Sequence, residues 1–380
     1  MRQTIQKQDK LLFTPGPLTT SLTVKQAALR DLGSRDDEFI AMVRNIRRKL
    51  LELGGVPKHG FEAVLMQGSG TFAIESVLSS TVARDGKVLV VINGAYGRRI
   101  AEIAGALKIP VTELNCPEDQ RPEPGQIGDA LHADPSISHV AVVHSETSTG
   151  MINPVREIGE VVKHFNRIYF VDAMSSFGGM PLNLLDCRID YLVSSANKCI
   201  EGIPGFAFVL ARREVLEATM GFARSVSLDL LAQWKGLDAN GQFRFTPPTH
   251  ALLAFHQALQ ELESEGGVEG RASRYRTNFQ VLSQGMQALG FEGYLRPEDR
   301  GYIISSFLYP RHPKFDFGLF YARLSEKGYV IYPGKVSKAD CFRIGCIGHI
   351  FPDDMRGLLE AIRETLAEMG VTLSGARAPG

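Results

Sequence analysis

Cysteine is scarce. Five residues in 380 (Cys116, Cys187, Cys199, Cys341 and Cys346) form no CxxC pair and no Cys/His cluster of zinc-finger spacing. That excludes a disulfide scaffold, indicates no metal site, and predicts a reduced, cytoplasmic setting. A surplus of charge is also missing, because 42 Lys+Arg cancel 42 Asp+Glu. Proteins that ride on nucleic acid or anionic membrane usually carry a basic excess, so neither partner is expected. No apolar run reaches the roughly 18 residues a membrane span needs. Met1–Lys10 is polar and lacks the apolar core of a signal peptide. What remains is ordinary globular composition, 44% hydrophobic and 22% charged, which excludes a disordered or fibrous chain.

The first half alternates short apolar runs with amphipathic stretches. Lys87–Ile92, Val140–Val143, Ile168–Val171, Tyr191–Val193 and Phe206–Leu210 read as strands buried on both faces. Helices are expected over Thr71–Val82, Gly97–Leu107 and Pro154–Phe165. This alternation predicts an α/β unit around a mostly parallel sheet. Beyond about residue 250 the pattern changes to α+β. Helices are expected over His250–Glu265, Arg271–Leu289, Phe317–Lys327 and Asp353–Met369, with strands at Tyr302–Leu308, Tyr329–Tyr332 and Cys341–Ile344. The tail Ser374–Gly380 reads as frayed.

Three short stretches could carry chemistry. Gln67-Gly68-Ser69-Gly70-Thr71 follows an apolar run and opens a helix. Glycines let backbone approach an anion, and helix-start amides point at it. No Gly-Lys-Ser/Thr follows, so it is not a Walker loop; alone it fits a plain strand–helix turn equally well. Asp172 ends an apolar strand, where a carboxylate either caps the next segment or faces a ligand. Lys198 lies in Ser194-Ser195-Ala196-Asn197-Lys198-Cys199, again at a strand end. It is either a surface lysine or a desolvated amine of the kind that forms Schiff bases. Taken in order, the three match what pyridoxal 5′-phosphate (PLP) requires: a phosphate cradle, an anion for the pyridine nitrogen, and an amine for the aldehyde. His144 and His250 read as structural.

These residues resemble the fold-type I, class V aminotransferases from Leu11 to about Gly370. Other stretches that carry the resemblance are Leu12–Ser21, Asn93-Gly94-Ala95-Tyr96-Gly97, Phe243–Thr246, Val330–Lys335 and Cys341–Gly345. The resemblance implies a large PLP-binding domain over residues 1–255, with its segment 1–25 lining the active site and a seven-stranded-type sheet. A smaller α+β domain would cover 256–380. Lys198 would hold the cofactor aldehyde and shuttle a proton, with Asp172 paired to the pyridinium. Ser69, Gly70 and Thr71 would hold the phosphate, with Ser195 or Asn197 adding a contact. Tyr96 would lie against the ring and Thr149 beside its hydroxyl. Thr246 would reach the phosphate of a neighbouring subunit, making the active unit a homodimer. Arg343 would clamp a substrate carboxylate or phosphonate, with Thr14 and Gly16 offering a hydroxyl and an amide. Within the class, the resemblance implies transfer of the amine of 2-aminoethylphosphonate to pyruvate, as in phosphonate breakdown. The alternative is an alanine– or serine–glyoxylate-type reaction. Tyr302, Cys346 and His349 depart from the pattern on the substrate side.

Overall fold

The computed structural model describes residues 9–57, 59–337 and 339–373. The expected frayed tail lies outside the described residues, as does most of the polar N-terminus. A seven-stranded sheet holds the molecule together. Its strands are β1 (Phe61–Gln67), β2 (Lys87–Ile92), β3 (Val111–Asn115), β4 (Ile137–Val143), β5 (Ile168–Asp172), β6 (Tyr191–Ser195) and β7 (Phe206–Arg212). Their spatial order is β1-β7-β6-β5-β4-β2-β3. Only β7 runs against its neighbours, so the sheet is mostly parallel, as the sequence pattern predicts. β4, β5 and β6 are almost wholly buried. That explains their unbroken Val/Ile/Phe runs, because helices cover both faces.

The helices α1 (Asp37–Leu53), α2 (Gly70–Thr81), α3 (Ala95–Ala106), α4 (Pro124–Ala133), α5 (Val155–His164), α6 (Leu230–Asn240) and α7 (Thr249–Ser264) surround this sheet. Their apolar faces share one core with it. The expected division between residues 255 and 256 falls inside α7. On its far side Ala258, Leu259 and Leu262 still pack into the sheet's core.

A second core gathers α8 (Gly267–Ala288), β8 (Ile304–Leu308), α9 (Phe317–Glu326), β9 (Tyr332–Pro333), β10 (Cys341–Gly345) and α10 (Pro352–Glu368). The expected strand Tyr329–Tyr332 is in fact two. Tyr329–Val330 pairs in parallel with Leu11–Leu12, while Tyr332–Pro333 joins β10. Between them Ile331 turns into the core. The N-terminal pairing buries Phe13 completely among the C-terminal apolar residues. Residues 14–18 are thereby anchored as they cross back toward the sheet.

Candidate active site

The parallel strands all end on one edge of the sheet, the usual place for a ligand in an open α/β fold. Asp172 is the last residue of β5, in register with Val143 and Val193 on either side. It is 2% exposed. One carboxylate oxygen accepts from the Met174 backbone N–H at 2.8 Å. Burial pushes its pKa up to about 7, against the pull of that hydrogen bond and of Lys198 and Arg99. Among the described residues this carboxyl is in no salt bridge, and a protonated pyridine nitrogen would supply the close cation that burial calls for.

Lys198 lies in the turn after β6, and its charge and that of Asp172 bear on each other. Its Nζ donates to the Pro15 carbonyl at 2.8 Å. Burial lowers its pKa from the ordinary lysine value, against the attraction of Tyr96, Cys199 and Asp172. A lowered pKa is what turns a lysine into a nucleophilic amine. Next to it, Cys199 is fully buried, with its thiol on the Ser175 carbonyl and its pKa pushed up to about 12.

The Gly-rich turn lies beside the end of β5, where Gly70 packs against Met174, two residues past Asp172. Gln67 ends β1 and Ser69 is the N-cap of α2, but no side chain caps that helix. Ser69 is exposed and Thr71 half-buried, so hydroxyls and the first helical amides face outward together. Gly70 packs closely on Met174, whose side-chain end an added Cβ would have to push aside. Gln67 donates to the carbonyls of Phe245 and Thr246 at 3.0 and 3.3 Å, tying that segment to the turn. Thr246 itself is exposed. Ser195 donates to Asn197 at 3.1 Å.

Tyr96 opens α3. Burial works to raise its pKa, but a hydrogen bond with Thr147 and the cations Lys335, Lys198 and Arg343 outweigh that and hold it below the ordinary value. Thr149 is buried, with its hydroxyl on the Glu146 carbonyl at 3.2 Å. Arg343 lies in β10 and is 4% exposed, not in a surface ion pair. Its Nε donates to Pro333 and its Nη1 to Thr147, both backbone carbonyls, at 2.9 and 2.8 Å. These bonds fix the guanidinium plane but leave its charge for an incoming anion. Gly16 is the close-approach residue of the N-terminal turn, because a Cβ there would lie 2.4 Å from Lys198 Nζ. The Thr14 hydroxyl donates to the Pro17 carbonyl at 2.5 Å, which closes the turn.

Sequence reading missed Glu146. It is fully buried, and accepts from Ser148 and from the Tyr96 and Gly97 amides at the start of α3. It was visible only as the acidic residue of His144–Gly150, a stretch that otherwise points to Thr149.

The buried Asp172, the desolvated Lys198 and the uncapped start of α2 have the chemistry a PLP site needs. The Aminotransferase class-V family model matches residues 19–325. The 2-aminoethylphosphonate–pyruvate transaminase of Syntrophobacter fumaroxidans is 51% identical over 361 residues, 95% of this chain and 97% of that one. The enzyme of the same name from Salmonella heidelberg is 52% identical over 358 residues, covering 94% and 97%. Among solved structures, pyridoxamine–pyruvate aminotransferase from Mesorhizobium loti superimposes with a TM-score of 0.88 at 23% identity, over 97% of this chain and 95% of that one. A PLP-bound phosphoserine aminotransferase from Trichomonas vaginalis gives 0.76 at 16% identity, over 92% and 99%. The chain belongs to the class V aminotransferases, a fold-type I family whose cofactor is PLP.

Proposed function

We propose that this aminotransferase moves the amine of 2-aminoethylphosphonate to pyruvate, giving phosphonoacetaldehyde and alanine as a step of phosphonate breakdown. The observation that carries this reading is the buried Arg343, in no ion pair among the described residues, whose charge bears on both Tyr96 and Lys198. Likeness to two transaminases of that name over nearly the whole chain supports it.

When bound, the cofactor supplies an electron sink for the carbon that loses its proton. Lys198 would hold the cofactor through Nζ until the substrate amine displaces it. The freed nitrogen then takes the proton from C2 of 2-aminoethylphosphonate, the carbon that bears the amine, and in the second half-reaction delivers one to C2 of the nascent alanine. Asp172 would keep the ring nitrogen protonated. The α2 amides with Ser69, Thr71, Ser195 and Asn197 would hold the phosphate, and Tyr96 and Thr149 would fix the ring. Arg343 binds the anionic end of each substrate in turn, which suits two half-reactions in one pocket. The active unit is a dimer in which Thr246 reaches the phosphate of a second copy. Its exposure supports this, as do the exposed Phe245 next to it and the exposed Phe72 on α2, just past the Gly-rich turn that Gln67 ties to this segment. The chain divides at about residue 255, within α7, and the enzyme works in the cytoplasm.

The test is the absorbance of the purified holoenzyme. Addition of 2-aminoethylphosphonate should convert the aldehyde form of the cofactor to the amine form, and pyruvate should reverse it. Lys198→Ala should do neither. Turnover of alanine with glyoxylate and none with 2-aminoethylphosphonate would sink the substrate assignment.

A further inference from the structure

We infer that Lys335 is a second substrate-binding cation, and that it sets the preference for a phosphonate over a carboxylate on the amine donor. The inference rests on the reaction proposed above and on three observations.

The first is charge. A carboxylate carries one negative charge, and one guanidinium neutralises it. A phosphonate carries up to two near neutral pH, as phosphate esters do. Arg343 alone leaves the second charge unmatched, in a pocket where burial makes an unpaired charge costly.

The second is placement. Lys335 Nζ lies 4.6 Å from the centre of the Tyr96 ring, the same side chain whose hydroxyl feels Arg343 and Lys198. Lys335 therefore reaches the Tyr96 ring at the site although its own residue is exposed. Another cation, Arg99, also lies over that ring at 5.2 Å, but it comes from α3 and bears on Asp172, the cofactor end of the site.

The third is mechanical linkage. Tyr332 pairs with Arg343 across β9 and β10, and the Pro333 carbonyl holds Arg343 Nε. The Gly334 amide then bonds the Cys341 carbonyl at 2.9 Å. Lys335 is the next residue. The hairpin that fixes the arginine thus also delivers the lysine. Its long flexible stem lets Nζ leave the aromatic face for a substrate oxygen.

The experiment compares wild type, Lys335→Met and Lys335→Arg holoenzymes. Binding of ethylphosphonate and of propionate, two amine-free probes of different charge, is measured by titration calorimetry. Steady-state KM is measured for 2-aminoethylphosphonate and for pyruvate. The inference expects Lys335→Met to weaken ethylphosphonate binding and raise KM for 2-aminoethylphosphonate about 10- to 100-fold, the worth of one charge-assisted hydrogen bond. Propionate and pyruvate should change by less than about threefold over the same span, and Lys335→Arg should restore the phosphonate arm. Equal losses on both anions, or no loss on either, would overturn the role of Lys335 while leaving the reaction intact. A wild-type enzyme inert toward 2-aminoethylphosphonate yet active with alanine would overturn the reaction and the lysine together.

Discussion

Lys198 Nζ donates to the backbone carbonyl of Pro15 at 2.8 Å, across 183 residues of sequence. The N-terminal turn is therefore a wall of the cofactor site. It reaches that wall because Leu11–Leu12 is bound into the C-terminal half as a strand and Phe13 is buried there. Fixing the segment at both ends lets a backbone carbonyl orient a side-chain amine.

Gly16 makes this approach possible. Its φ is +123°, and an added Cβ would meet Lys198 Nζ at 2.4 Å. Gly16→Ala should displace either the turn or the lysine. The expected result is a loss in kcat of about 100-fold, the usual penalty for ångström-scale misplacement. Slower incorporation of the cofactor, followed by its absorbance, should accompany it. Thermal stability should fall only by about 1–3 kcal/mol, the strain of one misfit residue.

Asp172 gives a pH signature in the cofactor-free protein. Its folded pKa of about 7 lies above the ordinary 3.8. Between those values the native state keeps a proton the unfolded chain has released. Its contribution to stability therefore falls as pH rises from about 4 to about 7 and is constant above that. His139 and His144, both pushed down to about 4 by burial, tilt stability the opposite way. They are common to wild type and Asp172→Asn, so the difference between the two isolates the aspartate. In the apo form Asp172→Asn should be as stable as wild type near pH 4 and more stable by up to roughly 4 kcal/mol at pH 8. The holoenzyme should lose that advantage, because the ring cation rewards the charged carboxylate. Transfer activity should drop by roughly 10²–10³-fold. Denaturant melts across pH, with and without PLP, check the first two statements.

The sheet was legible because its buried strands are continuous Val/Ile/Leu/Phe runs, as in Val88–Ile92 and Val140–Val143. Asp172 and Lys198 were legible because a charge at the end of such a run breaks the pattern. β3 escaped notice because it is an edge strand with scattered burial, Val-Thr-Glu-Leu-Asn, which looks like a loop. α1 escaped because its buried stripe of Phe39, Met42, Val43, Ile46 and Leu50 is interleaved with arginine and lysine. The partition of Tyr329–Tyr332 between two sheets depends on the distant Leu11–Leu12 strand and has no local signature. The same holds for Glu146, whose burial makes sense only once the α3 amides are seen to bond it.

Arg343→Lys keeps the charge and removes the fork. In the native protein Nε and Nη1 are tied to carbonyls, so the plane is preset before a substrate arrives. A lysine has no such plane and cannot make two parallel bonds to a carboxylate. KM for pyruvate should rise about 10- to 100-fold, the loss of one charged hydrogen bond. kcat at saturating substrate should change far less. Stopped-flow measurement of the pyruvate half-reaction separates the two. Equal damage to kcat would point to a misplaced Lys198.

Immediately beyond Lys198 the chain turns through Glu201, a non-glycine residue at φ +66° and 2% exposed. Its carboxylate meets Arg271 at 3.3 Å, Arg274 at 2.7 Å and the Tyr275 hydroxyl at 2.5 Å, all on α8. Arg274 continues to the carbonyls of Gly348 and Ile350, just past the strand that bears Arg343. The network thus joins the loop of the cofactor lysine to the strand of the substrate arginine. Arg271 is 1% exposed and also meets Glu265. Removing Arg271 leaves Arg274 alone to balance two carboxylates, Glu201 and Glu265, one of them fully buried, a loss that approaches the roughly 3–5 kcal/mol of a broken buried pair. Arg271→Met should lower Tm by on the order of 10 °C. Replacing a whole buried pair with apolar residues often restores stability, so Glu201→Leu with Arg271→Met should recover part of the loss. A double mutant no more stable than Arg271→Met, measured by calorimetry, would show that the turn at Glu201 depends on the carboxylate itself.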